Sequence, residues 1–187
     1  MATDNTRTNE QFREVLAECR SLFEKKLRDY SASWRILRTP SVTDQLFIKA
    51  KRIRSLETKK MSMVCDGIRG EYIALINYGI VGLIQLELGC ADATDMSADT
   101  AMSHYDRYAE EALQLMLKKN HDYDEAWRSM RITSYTDFIL TKIQRVKEIE
   151  DNDGATLVSE GIGSNYMDII NYSVFGVIRL NEQHEQD

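Results

Sequence analysis

The feature that most constrains this 187-residue chain is that it contains one long passage twice. "RDYSASWRILRTPSVTDQLFIKAKR", from Arg28 to Arg52, returns as "HDYDEAWRSMRITSYTDFILTKIQR", from His121 to Arg145. Asp-Tyr, Trp-Arg, a further Arg, Ser-x-Thr-Asp, Lys and Arg hold the same places in both. After a connecting loop with one residue of slip, "EYIALINYGIVGLIQL" is answered by "NYMDIINYSVFGVIRL". Two long units are too few for a solenoid and point to gene duplication. Each structural reading must therefore work in both copies, and each functional reading can be checked against the other copy.

Each unit reads as three helices. The first runs from about Glu10 to Arg28, and again from about Ala98 to Asn120, where Tyr105, Tyr108, Ala112, Leu115 and Met116 recur at helical spacing. A short irregular segment carries Trp34 or Trp127. The second helix is expected to start at Ser41 and at Ser134, each opening Ser-x-x-Asp, a capping box with Asp44 or Asp137 at the third helical position. Leu46, Ala50 and Ile53 match Ile139, Ile143 and Val146 as its apolar stripe. The third helix is strongly apolar and begins near Ser164 in the second copy. Its Gly79 and Gly82, matched by Ser173 and Gly176, predict close helix contact, since a mid-helix glycine costs about 1 kcal/mol against alanine. The polar "GCADATDMSADT" joins the units and ends on a helix start. The expected fold is all-α: a helical bundle of two duplicated three-helix units, 1–92 and 93–187, packed with pseudo-two-fold symmetry as one compact domain. A homodimer is compatible with that shape.

A net charge of -6 argues against a protein that grips a nucleic-acid backbone, which needs a basic face. Cys19, Cys65 and Cys90 are odd in number and far apart, and no Cys-x-x-Cys occurs, so neither a disulfide framework nor a zinc site is expected. They read as reduced thiols of a cytoplasmic protein, and "MATDNTRTNEQ" has no apolar signal core. The run from Tyr72 to Gly89 reaches membrane-spanning length. Its copy, however, carries Asp168 and Arg179 in the same frame, which lipid would penalise. Both runs are read as buried core helices, with no membrane partner.

Three constellations could carry chemistry. Tyr123 with Trp127, and Tyr30 with Trp34, could form an aromatic platform for a base, or pin a loop onto the bundle. Arg35 and Arg38, copied as Arg128 and Arg131, and Lys49 and Arg52, copied as Lys142 and Arg145, stand three residues apart, one face of a helix. They persist while Lys51 became Gln144 and Arg54 became Lys147. Guanidinium forks and lysine ammonium groups suit phosphate oxygens. The alternative is ion pairing with Asp29, Asp44, Glu57 and their copies. The third constellation is Glu160, Asp168, Asn171 and Tyr172. Asp168, Asn171 and Tyr172 share a helix face, and two carboxylates at a helix start could hold Mg²⁺ through oxygen ligands. The first copy has Asp66 opposite Glu160, but Ala74 opposite Asp168, with Glu71 where the second copy has Asn165. The alternative for Asp168 is an internal ion pair with a lysine or arginine of the second helix.

The stretch "KNHDYDEAWRSMR…TDFILTKIQRVKEIE…SEGIGSNYMDIINYSVFGVI" resembles the nucleotide modification associated domain, an all-helical family of bacteria and phages. The resemblance covers nearly the whole chain as two copies and implies a place in modified-nucleotide metabolism. More remotely, Asp168 followed by Asn171-Tyr172 looks like the final acidic motif of MazG-like all-α nucleoside triphosphate pyrophosphohydrolases. Those enzymes hold Mg²⁺ with Glu-x-x-Glu on one helix and Glu-x-x-Asp on another. This chain departs by having Lys142 and Arg145 where the Glu-x-x-Glu would stand. Two functions follow as expectations, both with a small nucleotide-like ligand. In the first, a Mg²⁺-dependent pyrophosphohydrolase, Glu160 and Asp168 carry the metal and the chemistry. Arg128, Arg131, Lys142 and Arg145, with Arg35, Arg38, Lys49 and Arg52 in the first copy, take phosphates, while Tyr123, Trp127, Asn171 and Tyr172 take the base. In the second, a non-catalytic binding or assembly module, the acids hold the bundle together.

Overall fold

The computed structural model describes residues 2–59, 67–158 and 160–184, with side chains from Thr6 to Gln183. Cys65 and Asp66 lie outside the described residues, so the comparison of Asp66 with Glu160 does not extend to structure. Six long helices carry the fold: α1 (Ala2–Tyr30), α2 (Thr39–Lys59), α3 (Ile68–Leu88), α4 (Ala98–Tyr123), α5 (Ile132–Asp151) and α6 (Ile162–His184). The tryptophan segments are short 3₁₀ turns, Ser33–Ile36 and Ala126–Ser129. No strand occurs among the described residues.

The repeat is visible in the packing. α3 and α6 make the largest helix contact and form the centre, α2 and α5 flank them and meet each other, and α1 pairs with α4. Each first helix crosses to the other unit: α1 packs on α6, and α4 on α3. The stripe residues Leu46, Ala50, Ile53, Ile139, Ile143 and Val146 are fully buried. Even the amides that end α1 and α4 correspond. Ser31 donates to the Leu27 carbonyl and Asp124 to the Asn120 carbonyl, both from the left-handed region at φ 55° and 48°.

The small residues of α3 and α6 explain how the two centres approach. A Cβ added at Gly82 would stand 2.6 Å from the Tyr166 ring, and one at Gly176 would stand 2.9 Å from the Tyr72 ring. The tyrosines thereby reach across the symmetry axis. The Tyr72 hydroxyl meets Thr136 Oγ1 at 2.8 Å, and that threonine donates to Glu57 Oε1 at 2.8 Å. The mirrored chain runs from Tyr166 to Thr43 at 2.7 Å and on to Glu150 at 2.8 Å. α3 is long and apolar enough by composition to cross a membrane, but 72% of its most apolar window is buried inside the protein, as a core helix would be.

The capping boxes are corrected. α2 and α5 begin at Thr39 and Ile132, ahead of the expected serines, and Arg131 caps α5 without a side-chain hydrogen bond. Asp44 and Asp137 instead bridge the units. Asp44 Oδ1 receives Lys147 Nζ at 2.7 Å, and Asp137 faces Arg54 at 3.8 Å. The linker signal holds: Ser97 caps α4, its hydroxyl accepting the Thr100 amide at 3.1 Å.

Candidate functional site

Equivalent positions of the two units enclose equivalent cavities, each of about 280 Å³. One lies between the end of α1, the first tryptophan turn and α3; the other between the end of α4, the second turn and α6. The size is at the small end for small-molecule sites. Their linings differ in chemistry. Phe23, Leu27, Ala74 and Val81 of the first cavity become Met116, Asn120, Asp168 and Phe175 in the second.

The central asparagine shows what the divergence does. In the first unit, Asn77 accepts the Tyr105 hydroxyl at 2.8 Å and donates to the Cys19 carbonyl at 3.3 Å. In the second, Phe12 stands where Tyr105 would be and has no hydroxyl, and the backbone carbonyl of Ala112, at the place of Cys19, is not bonded by Asn171. Asn171 is 5% exposed, and neither its Nδ2 nor its Oδ1 finds a partner. Asn120 Nδ2 and Trp127 Nε1 are also buried without partners. An unpaired buried polar group costs about 1–3 kcal/mol; residues of the second cavity carry four such atoms, whereas the first has Trp34 Nε1 alone among the described residues.

The cations divide into two groups. Arg35 and Arg128, expected on phosphates, are structural tie points. Arg35 holds Asp95 at 2.9 Å, the Gly89 carbonyl at 2.6 Å and the Gln85 side chain. Arg128 holds Glu125 at 2.9 Å, Glu182 at 2.8 Å, Thr8 at 2.6 Å and Gln11 at 2.7 Å. Arg38 and Arg131 are exposed and line neither cavity. Lys49 and Arg52 of α2 and Lys142 of α5 face carboxylates of the third helices. Lys142 Nζ lies 2.8 Å from Asp168 Oδ2, and Lys119 of α4 lies 2.5 Å from Asp168 Oδ1. Burial would lower the Lys142 pKa, but the hydrogen bond and charge of Asp168 outweigh it and raise it; Tyr172 and Glu160 act the same way more weakly. In the first unit Lys49 and Arg52 meet Glu71, one turn earlier on α3 than Ala74. Each third helix thus keeps one buried acid for these cations, at a different turn. Arg145 is turned toward Glu148 at 3.4 Å.

The base residues fare unequally. Trp127 stacks on Phe175 with centroids 4.2 Å apart, and the Arg128 guanidinium sits 4.3 Å from its ring, so the indole packs internally with its N–H buried and unpaired. Tyr123 is 70% exposed at the rim, and Tyr172 leans on Phe138 at 5.5 Å. Glu160 is exposed and forms no ion pair among the described residues.

The donor set does not suit Mg²⁺. Both Asp168 oxygens face ammonium groups, and no three His, Cys, Asp or Glu side chains converge among the described residues. Sequence reasoning missed Lys119 and Asn120. Lys119 could have been found, since Lys26 holds the equivalent place; Asn120 could not, since its counterpart is Leu27.

A family model described as nucleotide modification associated domain 1 matches residues 26–86 and 119–180. No curated protein and no solved structure matches the chain.

Proposed function

The chain belongs to the nucleotide modification associated domain 1 family, with one copy in each half, and from that premise we propose that it binds a nucleotide in the second-half cavity. The observation that carries this reading is the set of unpaired buried polar atoms on Asn120, Trp127 and Asn171. A base inserted among them supplies the missing partners. Its sugar and phosphates leave past Tyr123 towards Lys119 and Lys142, whose ammonium groups exchange part of their contact with Asp168 for phosphate oxygens. Metal-assisted hydrolysis of a phosphoanhydride calls for acids that share a cation. Here a single acid stands between two lysines, so binding without Mg²⁺-dependent turnover is the reading this geometry supports best.

Thermal unfolding with a panel of nucleoside mono- and triphosphates tests it. Ligand at 100-fold over Kd should stabilise by about 2.7 kcal/mol, or roughly 5–10 °C for a chain of this size. Absence of any shift across the panel overturns the reading. Asp168→Ala separates binding from hydrolysis, since it installs the first unit's residue and frees both lysines. Phosphate-bearing ligands should then bind several-fold more tightly at low salt. Pyrophosphate release by the parent protein that Asp168→Ala abolishes would establish the hydrolase instead.

A further inference from the structure

Resting on the nucleotide reading of the second-half cavity, the geometry points to a narrower ligand class: pyrimidines of the 2,4-dione type, the uracil and thymine bases, selected by Asn171. The unpaired buried atoms on residues that line the cavity comprise three donor groups, Asn120 Nδ2, Trp127 Nε1 and Asn171 Nδ2, and one acceptor, Asn171 Oδ1. Turning over the Asn171 carboxamide changes their order but not their number. The complement of this set is a flat group rich in acceptors that carries one N–H.

Among the five canonical bases joined to a sugar, only the 2,4-diones uracil and thymine meet that count. Their single ring N–H lies between two carbonyls. The N–H and one carbonyl can pair with both ends of the Asn171 carboxamide, and the remaining lone pairs can receive Asn120 and Trp127. Cytosine and adenine carry an amino group with two hydrogens, and guanine carries three N–H bonds. A surplus N–H that meets the apolar Met116, Met130 or Phe175 has no partner there. Stranding one N–H in that way weakens binding roughly ten- to hundredfold.

The first-half cavity sharpens the inference by contrast. Its Trp34 Nε1 is unpaired like that of Trp127, but its Asn77 is committed to Tyr105 and Cys19, and Leu27 stands in place of Asn120. Equal volume with a different polar set means that the selection lies in the side chains rather than in the shape.

The experiment is a titration of the full chain with the 5′-monophosphates of deoxyuridine, thymidine, cytidine, adenosine and guanosine, followed by calorimetry. The deoxyuridine and thymidine phosphates should bind at least tenfold more tightly than the other three. Asn171→Leu should remove that preference, and Asn171→Asp, which replaces the donor with a second acceptor, should narrow the gap to cytidine phosphate. Trp34→Phe, in the other cavity, should change nothing. Scanning calorimetry of each variant confirms that it folds. Binding without base preference, or with preference for cytidine or a purine, overturns the dione assignment and leaves nucleotide binding standing. If none of the five binds, the dione assignment fails, and nucleotide binding fails with it when the triphosphates also give no thermal shift.

Discussion

Asn77 and Asn171 occupy equivalent places on α3 and α6, yet their substitution should have opposite consequences. Asn77→Leu removes the acceptor of the buried Tyr105 hydroxyl and should cost about 1–3 kcal/mol. Asn171→Leu removes two unpaired atoms and should leave the free protein as stable as before, or more so. Urea unfolding of the two variants measures the difference directly. Equal losses would mean that Asn171 has a partner in the folded protein. No pattern in the sequence marks this asymmetry at the asparagines themselves, because the Ile-Asn-Tyr frame is retained in both copies. The signal sits far away, in the exchange of Tyr105 for Phe12, and only the fold brings those positions together.

At the scale of elements, the sequence was most legible where one residue type has one reason to be there. The glycines of α3 and α6 announced a close approach, and the Tyr rings lie against them. Gly82→Ala should therefore cost about 1–3 kcal/mol through overpacking against Tyr166. Gly70→Ala, with open space around its Cβ in the first turn of α3, should stabilise by up to about 1 kcal/mol. Thermal melts of the two variants, moving in opposite directions, check both. The capping boxes were misread because an acid three residues after a serine serves equally well as a partner for a cation on another helix. Lys147 and Arg54 lie too far along the chain for local pattern to reveal them. The arginines of the tryptophan turns misled for a related reason. Retention in both copies reflects a shared architectural duty, since Arg35 and Arg128 each gather the ends of several elements.

At the scale of the whole molecule, the two crossing Tyr–Thr–Glu chains give stability a pH signature. Burial raises the pKa of Glu57 and of Glu150, more than the threonine hydrogen bonds lower it. Between the ordinary glutamate value and the raised one, the folded state holds more protons than the unfolded chain, so stability falls as pH rises through that window. The lowered carboxylate of Glu18, held down first by its hydrogen bond from Arg69, acts in the opposite sense. Its contribution is present above the ordinary value and is lost as pH falls through the lowered one. A Glu57→Gln, Glu150→Gln double variant should flatten the upper window and leave the acid limb intact, as read from unfolding midpoints across mildly acidic pH. The stretch from Gly89 to Ser97 has a consequence of a different kind. Two separate copies of one unit, meeting about a two-fold axis, would carry every substitution twice, so a polar residue useful in one cavity would be imposed on the other. Covalent joining lifts that restriction. Leu27 can stay beside Trp34 while Asn120 stands beside Trp127, and Ala74 can face one cavity while Asp168 faces the other. The linker makes the two cavities independently mutable within a shared frame.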